Sequence, residues 1–180
     1  MNIVLGVSGS ISAYKAADIT SKLTKAGHDV HVVLTEGGSK FITALTLQTL
    51  SKNRVETNAF EEDDPSIVKH INLAEKADVV AIVPASADII GKMASGIADD
   101  LLTSVVVAAC KQCKMVIAPA MNTNMYNNPI VQHNIQKLET VGFRVIEPKT
   151  SMLACGTYGK GALADVNDIV EYLESLEDID

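Results

Sequence analysis

The sequence is poor in aromatic and basic residues. It has no tryptophan, and aromatic residues make up only 4% of its 180 residues, so a flat ligand would not be held between tryptophan rings. Lys and Arg number 15 against 22 Asp and Glu, which gives a formal net charge of -7. Without a basic excess or a basic run, the chain lacks the electrostatic footprint of a nucleic-acid-binding protein. We therefore expect no nucleic acid partner.

Long hydrophobic runs and paired cysteines are also missing. The apolar run "LLTSVVVAAC" has about half of the roughly 20 residues that are needed to span a bilayer. The three cysteines are an odd number without the spacing of a disulfide framework, and the amino-terminal "MNIVLGVSGS" is unlike a signal peptide. These absences predict a soluble cytoplasmic protein with free thiols and no membrane partner.

What the sequence does contain is an alternation of short β-branched runs and longer stretches of helical period. The runs "NIVLGVS", "DVHVVLT", "DVVAIVP", "KMVIAPA" and "FRVIEP" are apolar on both faces, as strands of a sheet covered by helices on both sides must be. Helices are predicted over residues 11–26, 39–50, 86–95, 99–111, 128–141 and 166–177. This pattern predicts a single α/β domain over residues 1–180, with a doubly wound, Rossmann-like or flavodoxin-like parallel sheet and helices on both faces.

In such a sheet, ligands bind beyond the carboxyl ends of the strands, and the loops predicted there are rich in small polar residues. The loop "GVSGSIS" offers backbone N–H groups and hydroxyls to an anion, although a glycine turn with a serine cap is an equally good interpretation. It is not G-x-G-x-x-G, and Thr35 replaces the acidic residue that binds the ribose of NAD. A standard NAD site is therefore disfavoured.

Three further segments carry candidate functional residues. "PASAD" places Ser86 and Asp88 where they could cap a helix, and "PAMNTNMYNNP" sets asparagines at a strand end, where amides could recognise carboxylates or simply form turns. His70 has no metal-ligand spacing to another histidine, so no metal site is predicted, and a lone histidine is more often structural than catalytic. "SMLACGTYGKG" places Cys155 among glycines, which predicts a loop able to fold over a ligand.

Together, five segments resemble the homo-oligomeric flavin-containing cysteine decarboxylases, in order and over nearly the whole chain. They are "GVSGSISAYK", "HINLAEKADVVAIVPASAD", "GIADDLLT", "PAMNTNMYNNP" and "LACGTYGKG". The resemblance implies that the chain binds FMN between the subunits of a homotrimer, which can assemble further into a homododecamer.

By the same resemblance, particular residues acquire roles. The flavin and its phosphate would be held by Gly9, Ser10, Ile11, Thr35, Phe41, Ser86, Ala87, Asp88, Ile89 and Ala120. The substrate would be bound by Asn122, Met125, Ala154 and Lys160. His70 would act near the flavin during oxidation of the substrate thiol. Cys155, on a clamp loop of residues 150–162 that covers the substrate, would protonate a later intermediate.

The resemblance is strongest to family members that act on 4'-phosphopantothenoylcysteine in coenzyme A biosynthesis. In their reaction, oxidation of the CH2–SH group to a thioaldehyde places a C=S bond beside the carboxylate. The carbanion left by CO2 is then delocalised as an enethiolate, and return of a hydride and a proton gives 4'-phosphopantetheine. The clamp cysteine distinguishes these members from peptidyl-cysteine decarboxylases, which leave the enethiol unreduced.

Three positions depart from the family pattern. Ala162 stands where many bacterial members have arginine, which makes Lys160 the candidate contact for phosphate. Tyr126 stands where many have tryptophan, and Asp99 where asparagine is common. The alternatives are a peptidyl-cysteine decarboxylase, a flavin prenyltransferase, a non-catalytic phosphatase-regulatory relative and a flavodoxin-like electron carrier. Cys155 disfavours a peptidyl-cysteine decarboxylase, and His70 together with the P-A-M-N segment disfavours a flavin prenyltransferase. The shortness of the acidic terminus disfavours a phosphatase-regulatory relative. The fourth would leave the cysteine, asparagines and histidine unexplained.

Overall fold

The computed structural model describes residues 1–61, 66–109, 112–154, 156 and 158–177. The strands of its main sheet are β1 (Asn2–Val7), β2 (Asp29–Leu34), β3 (Val79–Ala85), β4 (Lys114–Pro119) and β5 (Phe143–Val145). All pairings between them are parallel, and the order is β2-β1-β3-β4-β5, as in flavodoxin-like folds. The predicted fold class is confirmed.

Helices cover both faces of this sheet. They are α1 (Ala16–Lys25), α2 (Glu36–Ser39), α3 (Ala44–Ser51), α4 (Lys69–Lys76), α5 (Ala87–Ser95), α6 (Leu101–Ala109), α7 (Thr123–Tyr126), α8 (Pro129–Thr140) and α9 (Val166–Ser175). One core cluster packs α1, α3 and α9 against the sheet, and the other packs α4, α5, α6 and α8. Alternate residues of each strand enter the two clusters, Ile3 and Leu5 the first and Val4 the second. This alternation explains why the strands are apolar on both faces.

Several helix boundaries differ from prediction because side chains cap new helices. The predicted helix 39–50 begins only at Ala44, as α3, where the Thr43 hydroxyl caps it. The short α2, capped by the Thr35 hydroxyl, precedes it and shares only Ser39 with the predicted range. The predicted helix 11–26 begins as a 3-10 turn over Ile11–Lys15 before α1. α4 lies outside the predicted helical ranges, although its amphipathic pattern marks it. None of the helices in the described ranges is both long and apolar enough to cross a membrane.

A small antiparallel sheet lies where a clamp loop was expected. β6 (Lys149–Met152) pairs with β7 (Tyr158–Ala162), and we call these two strands the hairpin. Much of the segment 150–162 is therefore extended strand rather than irregular loop, because its two halves satisfy each other's backbone hydrogen-bonding groups. The backbone N–H of Met121, just after β4, donates to the carbonyl of Gly161 at 2.9 Å. The hairpin thus stands at the carboxyl edge of the main sheet.

Candidate functional site

Two hydroxyls hold together the carboxyl ends of the three strands at the switch in strand order. Ser8 Oγ donates to the Pro84 carbonyl at 2.7 Å and accepts from the backbone N–H of Ser86 at 2.9 Å, which joins β1 to β3. Thr35 Oγ1 donates to the Val7 carbonyl at 3.2 Å and accepts from the Gly38 N–H at 3.0 Å, which joins β2 to β1. Ser8 is buried, so its bonds are not exchanged for water. The strand ends form one firm edge.

The loops that leave this edge approach each other closely. A Cβ added to Gly9 would lie 3.1 Å from the carbonyl carbon of Gly37, so the loops after β1 and β2 touch through their backbones. Ser10 Oγ accepts from the N–H of Ser12, and Ser86 Oγ accepts from the N–H of Ile89. The capping interpretation of both serines is therefore correct, and it leaves backbone groups of the same loops to line the cavities beside them.

Two cavities open on either side of Gly9 and Ser86. The first, the hairpin pocket, has a volume of about 490 Å³ and is walled by the hairpin and the asparagine-rich loop. It collects these predicted residues: Gly9, Ser10, Ile11, Phe41, Ser86, Ala87, Ala120, Asn122, Met125 and Ala154. Most of the expected flavin and substrate contacts therefore share one cavity.

The second cavity, the acidic pocket, has a volume of about 640 Å³. Its lining includes the predicted residues Gly9, Thr35, Ser86, Asp88 and Ile89. Because Gly9 and Ser86 line both cavities, a ligand extended over this edge of the sheet would contact residues from both.

The two cavities carry opposite charge. The described residues that line the hairpin pocket include no carboxylate and two lysines, Lys15 and Lys149, of which Lys149 pairs with Asp165 outside the lining. The acidic pocket is lined by Glu36, Asp88, Asp99 and Asp100 with two lysines, Lys40 and Lys92. The Asp99 carboxylate, 3.0 Å from Lys92 Nζ, raises the pKa of that lysine, so this cation is already engaged. In a chain of net charge -7, the hairpin pocket is the better place for an anion.

The asparagine-rich loop is fixed by its own side chains. Asn122 Oδ1 accepts from the N–H of Asn124 at 2.8 Å and begins α7, and Asn128 Oδ1 accepts from the N–H of Ile130 and begins α8. The turn-forming interpretation of this segment is thus confirmed, and it also holds Asn122 at the wall of the hairpin pocket.

Two predicted residues, His70 and Lys160, are not gathered with the others, and a third falls outside the described residues. His70 is partly buried on α4 and lines neither the hairpin pocket nor the acidic pocket. Lys160 is exposed on β7, outside the lining of the hairpin pocket, and its Nζ lies 2.5 Å from Glu147. Cys155 lies outside the described residues, so its role as an acid stays a prediction. Within one chain, the cavity therefore lacks the expected histidine.

Sequence reasoning missed other residues of the hairpin pocket. Tyr14 and Lys15 follow the serines of the loop after β1 by about one helical turn. That spacing places them on the same side as the serines and could have indicated them. Lys149, at the start of β6, pairs with Asp165, which lowers the pKa of that carboxyl. Nothing in the local sequence indicates this lysine, because the hairpin register brings it to the cavity.

Known proteins share this whole architecture. A family model described as Flavoprotein matches residues 1–176. The chain belongs to the flavoprotein family. Over 172 residues it is 50% identical to a Streptococcus mutans protein named "Probable phosphopantothenoylcysteine decarboxylase", and the match covers 96% of each chain. It is also 46% identical to the Bacillus subtilis coenzyme A biosynthesis bifunctional protein CoaBC, of which the match covers 42%.

Solved flavoprotein structures extend the similarity to three dimensions. A PPC decarboxylase variant complexed with pantothenoylaminoethenethiol aligns with a TM-score of 0.87 and 32% identity, over 98% of both chains. The FMN-dependent cysteine decarboxylase SpaF aligns with a TM-score of 0.83 and 30% identity, over 98% of this chain and 97% of that one. These matches include the hairpin region as well as the parallel sheet.

Proposed function

We propose that this flavoprotein acts in the cytoplasm as an FMN-dependent decarboxylase that converts 4'-phosphopantothenoylcysteine to 4'-phosphopantetheine. The proposal is carried by one observation: the chain is 50% identical to the Streptococcus mutans protein over 172 residues, which are 96% of its length. Both chains are covered almost completely, so the similarity is not confined to a shared core.

The hairpin pocket suits FMN and an anionic substrate in its chemistry. Ile11, Phe41 and Met125 offer apolar surface to a flavin ring, and each is about half exposed, so that surface is open to a ligand. The loop at Gly9 brings backbone donors close, and Lys15 and the absence of carboxylates from the lining favour phosphate. When bound, FMN supplies the acceptor and later the donor of the hydride in this chemistry.

The chain's own residues would orient the substrate and move its protons. Asn122, fixed as the cap of α7, would bind the carboxylate and carbonyl groups of the cysteine. Ala154 and the hairpin strands would cover the reacting carbons and exclude water. Cys155 would deliver the proton that completes the reduction of the enethiol.

Self-association would complete the site. His70 lies on α4 away from the hairpin pocket of its own chain, and exposed Ile67, Val68 and Ile71 surround it in sequence. We infer that α4 packs against a neighbouring copy and carries His70 to that copy's flavin. The assembly would be a homotrimer or a homododecamer built from such trimers. Burial of these apolar side chains would contribute to the subunit contact.

A second candidate is favoured by a specific observation. SpaF, an FMN-dependent cysteine decarboxylase, aligns almost as closely as the PPC decarboxylase variant, so the fold by itself also suits another cysteine substrate, and the alternative we consider is a peptidyl cysteine. The two functions differ at the last step, because only the first requires the enethiol to be reduced.

The deciding experiment mixes the FMN-loaded protein with 4'-phosphopantothenoylcysteine and follows CO2 release and product mass, for wild type and Cys155→Ser. We expect 4'-phosphopantetheine from wild type and a product two hydrogens lighter from the variant. His70→Asn should release no CO2. A wild type that binds FMN but leaves this substrate untouched, while it decarboxylates a peptide with a carboxy-terminal cysteine, would establish the second candidate instead.

A further inference from the structure

The hairpin is seated directly on the loop that carries Asn122. The N–H of Met121 donates to the Gly161 carbonyl, and a Cβ added to Gly159 would lie 2.5 Å from Thr123 Oγ1. The bare backbone of β7 therefore lies against the Thr123 side chain at Gly159 and against the Met121 backbone at Gly161, with no room for a side chain at either glycine. This glycine seat sets the distance between β7 and the loop. Glycines have no side chains, however, so other residues must hold the strand against the loop.

Three side chains beside this seat supply such interactions. Tyr126 Oη, at the end of α7, donates to Glu147 Oε2 at 3.0 Å, and Lys160 Nζ on β7 lies 2.5 Å from the same oxygen. Lys160 Nζ also lies 5.4 Å from the centroid of the Tyr126 ring. One carboxylate oxygen thus joins the hairpin to α7, and Glu147 itself sits in the segment between β5 and β6.

The environment of each group strengthens this arrangement. Tyr126 is buried, and burial together with the Glu147 carboxylate raises its pKa, so the phenol keeps its proton as a donor. The hydrogen bond from Lys160 lowers the pKa of Glu147, and the same contact raises the pKa of Lys160. Gln132 Nε2 donates to the Tyr126 carbonyl at 2.6 Å, which ties this end of α7 to α8.

The contacts of Lys160 indicate a structural task. Its ammonium group is shared between a carboxylate and an aromatic ring, and it lies outside the lining of the hairpin pocket. A phosphate would have to compete with Glu147 for it, whereas Lys15 faces the cavity itself. These contacts favour Lys15 over Lys160 as the phosphate contact.

We propose that Tyr126, Glu147 and Lys160 form a latch that positions the hairpin against the Asn122 loop and keeps the hairpin pocket closed during the reaction. These three are positioning residues. The catalytic consequence rests on the proposed function: a loosened hairpin would expose the enethiol to solvent before it is reduced, so part of it would leave as the oxidised product.

Hydrogen exchange tests the latch without any reaction. In the FMN-loaded protein, Glu147→Gln, Lys160→Met and Tyr126→Phe should each speed amide exchange in residues 158–162 by about fivefold, since the ion pair is partly exposed and of modest strength. Asp18→Asn is the matched control, because it removes a partly exposed carboxylate that pairs with Lys22 on α1. The double variant Glu147→Lys with Lys160→Glu should restore part of the protection.

Product partitioning tests the catalytic consequence. With 4'-phosphopantothenoylcysteine, the latch variants should release a measurable fraction of product two hydrogens lighter, which the control should not. Unchanged exchange in all three latch variants would overturn the latch, and faster exchange with unaltered partitioning would overturn its catalytic consequence. A wild type that does not turn over this substrate would overturn the proposed function instead, and the exchange rates alone would then decide whether the latch exists.

Discussion

The hairpin pocket and the acidic pocket share a rim but differ in charge. Gly9 and Ser86 line both, so the backbone and hydroxyl donors of this edge serve the two cavities alike. The hairpin pocket adds Lys15 and Lys149 without a carboxylate, whereas the acidic pocket adds four carboxylates. The strand order creates the edge, and a few side chains on the loops decide which side of it takes an anion.

Introducing a carboxylate into the hairpin pocket should abolish this difference and have the largest effect. Asn122→Asp keeps the oxygen that caps α7, so the fold should persist. The new charge would face the substrate carboxylate, and kcat/KM for CO2 release should fall about a hundredfold. Asp99→Asn, in the acidic pocket, is the control and should change it little. Equal losses in the two variants would show that the pockets are not distinguished by charge.

Removing the hydroxyl that supports the shared rim should destabilise both cavities together. Ser8→Ala leaves the Pro84 carbonyl and the Ser86 N–H without their partner in a buried position. The free energy of unfolding in urea should fall by about 2 kcal/mol. Ser39→Ala removes an exposed hydroxyl bond and should cost less than about 0.5 kcal/mol. A similar small loss at Ser8 would mean that the rim does not depend on this bond.

Replacing Lys15 tests the difference in charge between the pockets with pairs of ligands that differ only in a phosphate group. Lys15→Met should weaken binding of FMN or of 4'-phosphopantothenate about tenfold, while riboflavin and pantothenate bind as before. Calorimetric titration of each pair measures the difference. Lys40→Met, in the acidic pocket, provides the control. If the variant lost affinity for both members of each pair equally, Lys15 would be part of the wall and not an anion contact.

Lowering the pH is expected to have the smallest effect, an acceleration of amide exchange in the hairpin. The pKa of Glu147 lies below its usual 4.5, so the latch contribution is complete above about pH 4.5 and is lost as the pH falls through the lowered value. Amide exchange of residues 158–162, corrected for its intrinsic pH dependence, should then accelerate about threefold, whereas β1 should not respond. Glu147→Gln should remove the pH dependence, and its persistence in that variant would assign the effect to another carboxyl.

The sheet was predictable because its strands carry apolar residues on both faces, and a parallel arrangement then brings their following loops to one edge. Hence Gly9, Ser86 and Asn122 could be expected to lie together. α2 and α3 are separate helices, and each begins at a threonine cap that contributes about 1 kcal/mol. The helical period of the sequence does not reveal where such caps start a helix.

Contacts between residues that are far apart in the sequence limited how much of the site could be predicted. Glu147 follows a short strand and looks like a surface charge in the sequence, yet it joins Tyr126 to Lys160 across the hairpin. His70 illustrates a different limit, since a single chain does not bring it to the hairpin pocket. In the proposed homotrimer, a neighbouring copy would supply this histidine, and such a contact leaves no pattern in the local sequence.

The glycine seat also defines where this enzyme could be re-engineered. A side chain at 159 would collide with Thr123, and position 161 has a φ of +148° that L residues rarely adopt, so the inner face of β7 is closed to variation. Of its outer positions, Tyr158 is exposed and can change, whereas Lys160 contacts Glu147 and Tyr126. A library aimed at other cysteine substrates should therefore leave Lys160 and both glycines of this strand untouched and vary the loop residues that face the hairpin pocket.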